Sequence, residues 1–241
     1  MPTIAVTGSK GGCGASLVAT NLSLTLASLG EVLLMDLHLG DGDDDLLLDV
    51  KPERSWADLL RVAGELTPRH IELAAVPAGA GMSLLAAPPS LTQIPSSSDI
   101  LSLVRALTAH TPWLVLDLPA RAEFSLPALS EADVILITIT GDPPAIRAAQ
   151  RLIEALPEPA RARCSLVFNQ FTRAHPAHPQ AVAALLGCPL AATLPVDPRA
   201  VGFQVSFGRP SVFDRSSRFG QSVARLAHHQ ASRLLARQAA A

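Results

Sequence analysis

The sequence predicts an α/β fold with a mostly parallel sheet and helices on both of its faces. Segments rich in apolar and β-branched residues, such as 3–8 and 133–140, alternate along the chain with segments of helical character. These strand segments are apolar throughout, which is typical of strands buried on both faces of a parallel sheet. The chain has 241 residues, of which 49% are hydrophobic, enough for a large core. We therefore expect a single domain over residues 1–241.

Each element follows from its local pattern. The first strand is expected at 3–8, and the first helix at 15–30, where Gly30 ends it. A buried strand at 31–36 leads into a loop rich in Asp and Gly. The other helices are expected near 55–64 and at 96–110, 124–131, 143–155 and 178–186. The other strands are expected at 82–89, 113–119, 133–140, 164–170 and 190–196.

Composition and charge exclude several classes of protein. The formal net charge of −2 gives the chain no overall attraction to nucleic acid or anionic lipid. No apolar run approaches the roughly 20 residues that span a bilayer, and the start of the chain lacks a secretory signal pattern. The three cysteines, Cys13, Cys164 and Cys188, form no metal or disulfide pattern. We expect a cytoplasmic protein that does not bind DNA.

A glycine-rich segment, GSKGGCGAS at residues 8–16, joins the first strand to the first helix. Such a turn surrounds an anion with backbone N–H groups at the positive end of the helix dipole. In the usual phosphate-binding loop, a lysine contacts the phosphates and the next Ser or Thr binds Mg²⁺. Ser16 supplies that hydroxyl, but Ala15 stands at the lysine position and Ser9 replaces the first glycine. A phosphate site is favoured over the alternative, a glycine turn without a ligand.

Two other residues of this loop stand out. Lysine occurs only at Lys10 and Lys51, although Lys and Arg together number 19, so a lysine kept inside the glycine loop is informative. Cys13 lies at the start of the helix, where thiols can be reactive. The favoured interpretation is a small apolar filler, because no His or acidic residue lies near it in the sequence.

The loop resembles the deviant Walker A motif K-G-G-x-G-K-[S/T] of the MinD/ParA family. It matches that motif at Lys10, Gly11, Gly12, Gly14 and Ser16, and it departs from the motif at Ala15. Further segments are similar to CpaE/TadZ proteins, which are MinD/ParA-like factors of Flp (Tad) pilus assembly. These segments are 35–60, 84–93, 114–119, 132–156, 194–201 and 208–212. Together they cover nearly the whole chain in order.

The resemblance implies that the chain binds ATP with Mg²⁺. The implied nucleotide-binding residues are Lys10, Gly11, Gly12, Cys13, Gly14, Ala15, Ser16 and Leu17 in the loop, with Asn169, Pro195, Val196 and Asp197 near the adenine. The implied metal ligands are Ser16, Asp36 and Asp117, and Asp36 is the one candidate for a catalytic role. His38 stands where relatives often have a second aspartate that positions water, a task for which imidazole is a weaker match.

The four aspartates of the loop after the second strand do not form a recognisable calcium-binding motif. Asp41, Asp43, Asp44 and Asp45 do not fit the EF-hand pattern, because no Gly is sixth from Asp41 and its twelfth position is Pro52. We expect these four aspartates to form a solvated acidic loop.

The resemblance also implies a biological role. The expected protein is a homodimer that localises or assembles pilus or secretion machinery, with little or no ATP hydrolysis, at the cell pole or the inner face of the membrane. In the family, the lysine equivalent to Lys10 crosses the dimer interface to the partner's nucleotide. The chain starts at the first ATPase strand, so no N-terminal receiver domain is expected. Two alternatives stay open: an active ParA/MinD-type ATPase that moves DNA or protein cargo, and a nucleotide-free scaffold.

The C-terminal segment is basic. Residues 209–241 contain six arginines and one acidic residue, Asp214. A helical arrangement places Phe219, Val223, Leu226 and Leu234 on one face, beside a stripe of Arg218, Arg225, His229 and Arg233. The favoured interpretation is a last helix packed on the sheet with solvated arginines. Peripheral contact with an anionic membrane is the alternative.

Overall fold

The computed structural model describes residues 1–90, 94–120, 122–174 and 176–239. Within these residues the strands form one sheet, and all neighbouring strands are parallel except for one short pair at an edge. The strands are β1 (Thr3–Gly8), β2 (Val32–Asp36), β3 (Val76–Pro77), β4 (Met82–Leu85), β5 (Trp113–Leu118), β6 (Val134–Ile139), β7 (Cys164–Phe171) and β8 (Leu190–Pro195). Their spatial order is β3-β4-β2-β5-β1-β6-β7-β8, with β3 antiparallel to β4.

Helices cover both faces of this sheet. They are α1 (Ala15–Leu26), α2 (Asp44–Leu47), α3 (Pro68–Ala74), α4 (Ser97–His110), α5 (Ser125–Glu131), α6 (Pro143–Ala155), α7 (Glu158–Arg161), α8 (Pro179–Leu186), α9 (Pro198–Phe207) and α10 (Arg218–Ala239), with 3₁₀ helices at Trp56–Glu65 and Ser211–Phe213. One buried cluster joins the sheet to α1 and α10, and a second joins the opposite face to α4, α5 and α6. The predicted fold class is therefore confirmed.

Several element boundaries differ from the sequence prediction. The strand expected at 82–89 ends at Leu85, because the carbonyl of Ala86 accepts a hydrogen bond from the Trp56 amide, 3.2 Å away, instead of continuing the sheet. The first helix ends at Leu26, before the turn that leads to Gly30. Helices α2, α3, α7 and α9 are additional to the predicted set. Of segment 84–93, residues 91–93 lie outside the described residues, as do residues 240 and 241 of the C-terminal segment.

Helix α10 uses its apolar face inside the protein. Phe219, Val223, Leu226 and Leu234 are all at most 4% exposed, and α10 packs on α1 and β8. The arginine stripe beside them faces solvent. This arrangement matches the favoured prediction for the segment, in which the apolar face of the last helix packs inside the protein. Among the described residues no helix is both long and apolar enough to cross a membrane.

The sheet order places two key strand ends side by side. β1 and the glycine loop that follows it lie next to β5, and β5 pairs with β2 on its other side. In the β2–β5 register, Asp36 is directly opposite Asp117. Ligands of open parallel sheets bind beyond the carboxyl ends of the strands, which is where the loop and both aspartates lie.

Candidate functional site

The first turn of α1 is open to a ligand. Gly14 precedes the helix with φ 83° and ψ 32°, in the left-handed region, and Gly12 has φ 78°. No side chain caps this end of α1, so the first backbone N–H groups, from Ala15 onward, have no helical partner. Together with the positive end of the helix dipole, these groups fit the phosphates of a nucleotide.

A cavity of about 440 Å³ lies at this helix end. The loop from Lys10 to Leu17 lines it, so all eight loop residues implied by the resemblance meet at one cavity. The opposite wall includes His38 and Asp43 from the acidic loop, Pro119 after β5, and Val205 of α9. Helix α9 was missing from the predicted elements, and its contribution to this wall was therefore missed as well.

The side chains of Asn169 and Gln170 donate hydrogen bonds to backbone carbonyls of the glycine loop. The Asn169 Nδ2 donates to the Cys13 carbonyl at 2.9 Å, and the Gln170 Nε2 donates to the Gly12 carbonyl at 3.3 Å. Glycine is favoured at position 14 because φ is 83°, a conformation that L side chains rarely adopt, and a Cβ there would also come within 2.5 Å of the Asn169 Nδ2. The Asn169 amide therefore has a structural role in the loop, and its implied contact with adenine stays a prediction.

The segment after β8 is also used within the fold. Asp197 caps α9 by accepting from the Ala200 amide at 3.2 Å, and it accepts from the Ser217 hydroxyl at 2.9 Å. Val196 is 44% exposed, and Pro195 ends β8. Residues 195–197 do not line the cavity at the loop. The implied adenine role of these residues stays a prediction.

Cys13 and Ser9 are buried under the loop. The Cys13 Sγ lies 3.4 Å from the Ser9 hydroxyl, and both side chains are at most 3% exposed. The Ser9 amide donates to the Thr138 carbonyl of β6 at 2.8 Å. Cys13 thus matches the favoured interpretation of a small buried filler.

Asp36 is held in place by a residue that the sequence prediction missed. The indole Nε1 of Trp56 donates to the Asp36 backbone carbonyl at 2.7 Å, and Trp56 is fully buried. The Asp36 carboxylate is 2% exposed and accepts from the His38 amide at 3.0 Å. No local sequence pattern indicated this role of Trp56, because the hydrogen bond joins residues that are 20 positions apart.

His38 lies between the two aspartates. Its Nδ1 is 3.0 Å from the Asp36 Oδ1 and 3.5 Å from the Asp117 Oδ2. Burial opposes the charged imidazolium, but the hydrogen bond to Asp36 and the charges of Asp117, Asp36 and Asp41 outweigh this effect. Together they raise the pKa of His38 to about 9. The His38 imidazole thus bridges the two carboxylates.

Asp117 has unfilled ligand capacity. Its side chain is fully buried, and neither carboxylate oxygen accepts a hydrogen bond of good geometry from the described residues, although the His38 Nδ1 and the Ser16 hydroxyl lie nearby. Burial raises the pKa of Asp117 to about 7, an effect that the His38 charge and the Ser16 hydroxyl oppose and the Asp36 charge reinforces. Buried oxygens without hydrogen-bond partners fit a cation, so Asp36 and Asp117 suit the metal position that the sequence implied.

Asp44 corrects one prediction. The sequence placed it with Asp41, Asp43 and Asp45 in a solvated acidic loop, but its side chain is fully buried and neither carboxylate oxygen has a partner among the described residues. Its amide faces the Asp36 Oδ2 at 3.4 Å. The reason is the short helix α2, whose first residue is turned into the protein while Asp41 and Asp43 remain exposed.

Comparisons with known proteins identify the family. The family described as cellulose biosynthesis protein BcsQ matches residues 1–182, more than half of the chain. The chain belongs to the BcsQ family. The chain is also similar to the septum site-determining protein MinD of Thermotoga maritima, with 31% identity over 156 residues. That match covers 64% of the chain, but only 57% of the Thermotoga protein.

Solved structures support the same fold for this BcsQ-family chain. A ParA family ATPase from Chlorobium tepidum TLS has a TM-score of 0.84 at 18% identity, covering 95% of this chain and 98% of its own. MinD from Pyrococcus horikoshii OT3, solved as a complex with Mg-ADP, has a TM-score of 0.80 at 20% identity, covering 95% of each chain. The chain is thus a MinD/ParA-like member of the P-loop fold, as predicted, whereas the narrower CpaE/TadZ assignment stays a prediction.

Proposed function

We propose that the chain binds ATP with Mg²⁺ at the loop from Lys10 to Leu17. The observation that carries this proposal is the uncapped start of α1 behind Gly14, which offers unpaired N–H groups to phosphate. Ser16, Asp36 and Asp117 would hold the metal, which neutralises phosphate charge when bound. Ala15 replaces the usual lysine, so affinity is lower than in a complete loop, but cellular ATP is abundant enough to fill a micromolar site.

The proposed protein forms a homodimer when ATP is bound. Lys10 is the loop's single lysine, and it precedes the first-turn N–H groups of α1, which makes it a poor ligand for its own chain's phosphates. Reaching the partner's phosphate would make ATP a clamp between two copies. Exposed apolar side chains support this arrangement: Val205 is 58% exposed at the edge of the loop cavity, and Leu46 and Phe207 are 63% and 62% exposed nearby. A second copy would cover them.

Hydrolysis in this dimer is proposed to be slow or absent. Two groups that would act on the transition state are replaced, the loop lysine by Ala15 and the second aspartate by His38. Each preorganised electrostatic contact of this kind is commonly worth about 10²–10³ in rate. The bound nucleotide then serves as a structural element.

The proposed cellular role is to position or assemble envelope machinery at the cytoplasmic side. The resemblance to CpaE/TadZ proteins favours Flp (Tad) pilus machinery, near the cell pole or the inner face of the membrane. The BcsQ family match favours a second candidate, the machinery of cellulose biosynthesis, because that process is named in the family description. An active ParA-type ATPase and a nucleotide-free scaffold are the rival functions of this fold.

Sedimentation velocity of the wild type and Lys10→Ala, each with and without Mg²⁺-ATP, tests this proposal. Arg69→Ala is the control, because the Arg69 side chain on α3 is 71% exposed and lines neither the loop cavity nor the apolar patch. We expect ATP to shift the wild type and Arg69→Ala to dimers while Lys10→Ala stays monomeric. Identical behaviour of all three proteins contradicts the clamp. Steady ATP turnover stimulated by DNA or lipid supports the active-ATPase rival instead.

A further inference from the structure

The side chains of Asp36, His38 and Asp117 form a compact ligand cluster. One ligand atom from each of the three lies within 4.8 Å of the others. The shorter separations run from the His38 Nδ1, at 3.0 Å to the Asp36 Oδ1 and 3.5 Å to the Asp117 Oδ2. Transition metals bind protein N and O atoms at about 2.0–2.2 Å, which places two ligands of one ion about 3.0–3.5 Å apart. The two separations from His38 already match this spacing.

A second observation points to a ligand at the same place. Asp117 is fully buried, and both of its carboxylate oxygens lack a hydrogen-bond partner among the described residues. One of these oxygens is the atom that faces His38. The His38 Nδ1 lies 3.5 Å from one oxygen and leaves the other unfilled, and buried carboxylate oxygens without hydrogen bonds are costly unless a cation or donor satisfies them, so the cluster is more than a group of nearby acids.

The nitrogen ligand decides which metals fit. Mg²⁺ takes oxygen ligands in near-ideal octahedral geometry, whereas imidazole suits Zn²⁺ and neighbouring first-row transition metals. We propose that Asp36, His38 and Asp117 bind a transition-metal dication such as Mn²⁺, Co²⁺ or Zn²⁺ through one imidazole nitrogen and two carboxylates, without nucleotide. The ion displaces the Nδ1 proton of His38. This inference shares one feature with the proposed function, the position of the metal at Asp36 and Asp117. It differs because protein side chains alone hold the ion, without a nucleotide.

The ion has a route to this cluster. The His38 side chain is 21% exposed and lines the cavity of about 440 Å³ at the glycine loop. Asp36 and Asp117 lie behind it, at 2% and 0% exposure. A metal entering from the cavity meets the imidazole first and then the two carboxylates. The cavity also supplies room for water molecules as the remaining ligands.

Nucleotide-free protein titrated with Mn²⁺ and Co²⁺ tests the proposal. Pulsed electron paramagnetic resonance of bound Mn²⁺ is expected to show ¹⁴N coupling from one imidazole, and Co²⁺ is expected to develop a visible absorption band with one ion per chain. Excess Mg²⁺ is expected to leave the Co²⁺ band in place. Bound Mn²⁺ without ¹⁴N coupling overturns the proposal, and so does the absence of Co²⁺ binding at millimolar metal.

Three variants identify the ligand. His38→Ala is expected to lower the Co²⁺ affinity at least tenfold, since losing even a supporting partner of a metal ligand costs 10–100-fold. His38→Asp is expected to keep Mn²⁺ but lose the ¹⁴N coupling. His228→Ala, an exposed histidine of α10, is the control and is expected to match the wild type. Wild-type metal binding by His38→Ala contradicts the proposal, provided that its thermal melting confirms a folded protein.

The outcome is separable from that of the ATP proposal. Metal binding is measured without nucleotide, and ATP binding is measured by calorimetry with Mg²⁺. A protein that binds Co²⁺ through His38 but no ATP supports the metal site and contradicts the nucleotide proposal. A protein that binds Mg²⁺-ATP but no Co²⁺ supports the nucleotide proposal and contradicts the metal site.

Discussion

Lys10 and Asp142 form an ion pair within one chain, with the Lys10 Nζ 3.7 Å from the Asp142 Oδ2. Asp142 also caps α6, because its Oδ1 accepts from the Ala145 amide at 3.0 Å, and it accepts a hydrogen bond from the Thr140 hydroxyl. Both charged side chains are about two-fifths exposed, at 39% and 42%. The lysine that we propose to reach a partner's phosphate is thus held beside the start of α6 in the isolated chain.

Asp142→Asn is expected to favour the ATP-dependent dimer. The amide oxygen can still cap α6, but the charge that holds Lys10 is removed. Exposed ion pairs are worth about 0–1 kcal/mol, so the ATP concentration for half-maximal dimerisation should fall by at most about fivefold. Sedimentation across an ATP series measures this, with Glu154→Gln on α6 as the control. Loss of dimerisation in Asp142→Asn would contradict this expectation, because it would show that the Lys10–Asp142 ion pair stabilises the dimer.

Ala15→Lys is expected to tighten ATP binding. It restores the charged group that the loop lacks, and a hydrogen bond to a charged group is worth about 1.5–3 kcal/mol, or about 10–150-fold in affinity. Calorimetric titration measures the change. Leu29→Lys, an exposed position after the far end of α1, controls for the added charge. Equal affinity of Ala15→Lys and the wild type would mean that phosphate does not lie at this end of the loop.

Wild-type ATP turnover is expected to lie at least about 10²-fold below a typical enzyme rate of about 10 per second. Both replaced groups contribute, so the double variant Ala15→Lys with His38→Asp should hydrolyse faster than either single variant. Phosphate release under saturating Mg²⁺-ATP gives the rates. Wild-type turnover near 10 per second would refute the structural role of the nucleotide.

Asp44→Asn is expected to stabilise the protein at neutral pH. Burial, followed by the charges of Asp117 and Asp36, holds the pKa of Asp44 well above its usual range in the folded chain. A carboxyl group with a raised folded pKa makes stability fall as pH rises above its unfolded value of about 3.9. Asn keeps the size and cannot ionise, so the decline with pH should flatten.

The gain should be larger at pH 7 than at pH 5, because Asn is neutral without a proton, whereas folded Asp44 must keep a proton that the unfolded chain releases. Urea denaturation at pH 5 and pH 7 measures it, and exposed Asp41→Asn should change stability by at most about 0.5 kcal/mol. If Asp44→Asn is less stable than the wild type at pH 7, the carboxylate has a stabilising partner in solution.

Local sequence patterns were sufficient to predict the sheet and the loop. Apolar segments gave strands near their observed positions, and the glycines before α1 marked the turn that opens its first N–H groups. Asp36 and Asp117 were recognisable because both lie at the carboxyl ends of buried strands. These features depend on residues that are close in sequence or on strand order alone.

The remainder of the site depends on long-range packing. Trp56 reaches the Asp36 carbonyl across 20 positions, and Val205 of α9 closes a wall of a cavity whose loop begins near residue 10. The burial of Asp44 follows from how α2 packs against α1 and α9, which no local pattern reveals. The position of His38 between the two aspartates could not be predicted without the β2–β5 register, because that register places Asp117 opposite Asp36.

Calorimetric titration of the wild-type chain with Mg²⁺-ATP tests the central claim most directly. Gly14→Val is the matched loop variant, because a Cβ at φ 83° would come within 2.5 Å of the Asn169 Nδ2 and disturb the turn before α1. Circular dichroism establishes that this variant is folded. We predict saturable binding of ATP to the wild type that Gly14→Val loses. Absence of binding to the wild type at several millimolar ATP would contradict the account and leave a scaffold that has kept the fold without its ligand.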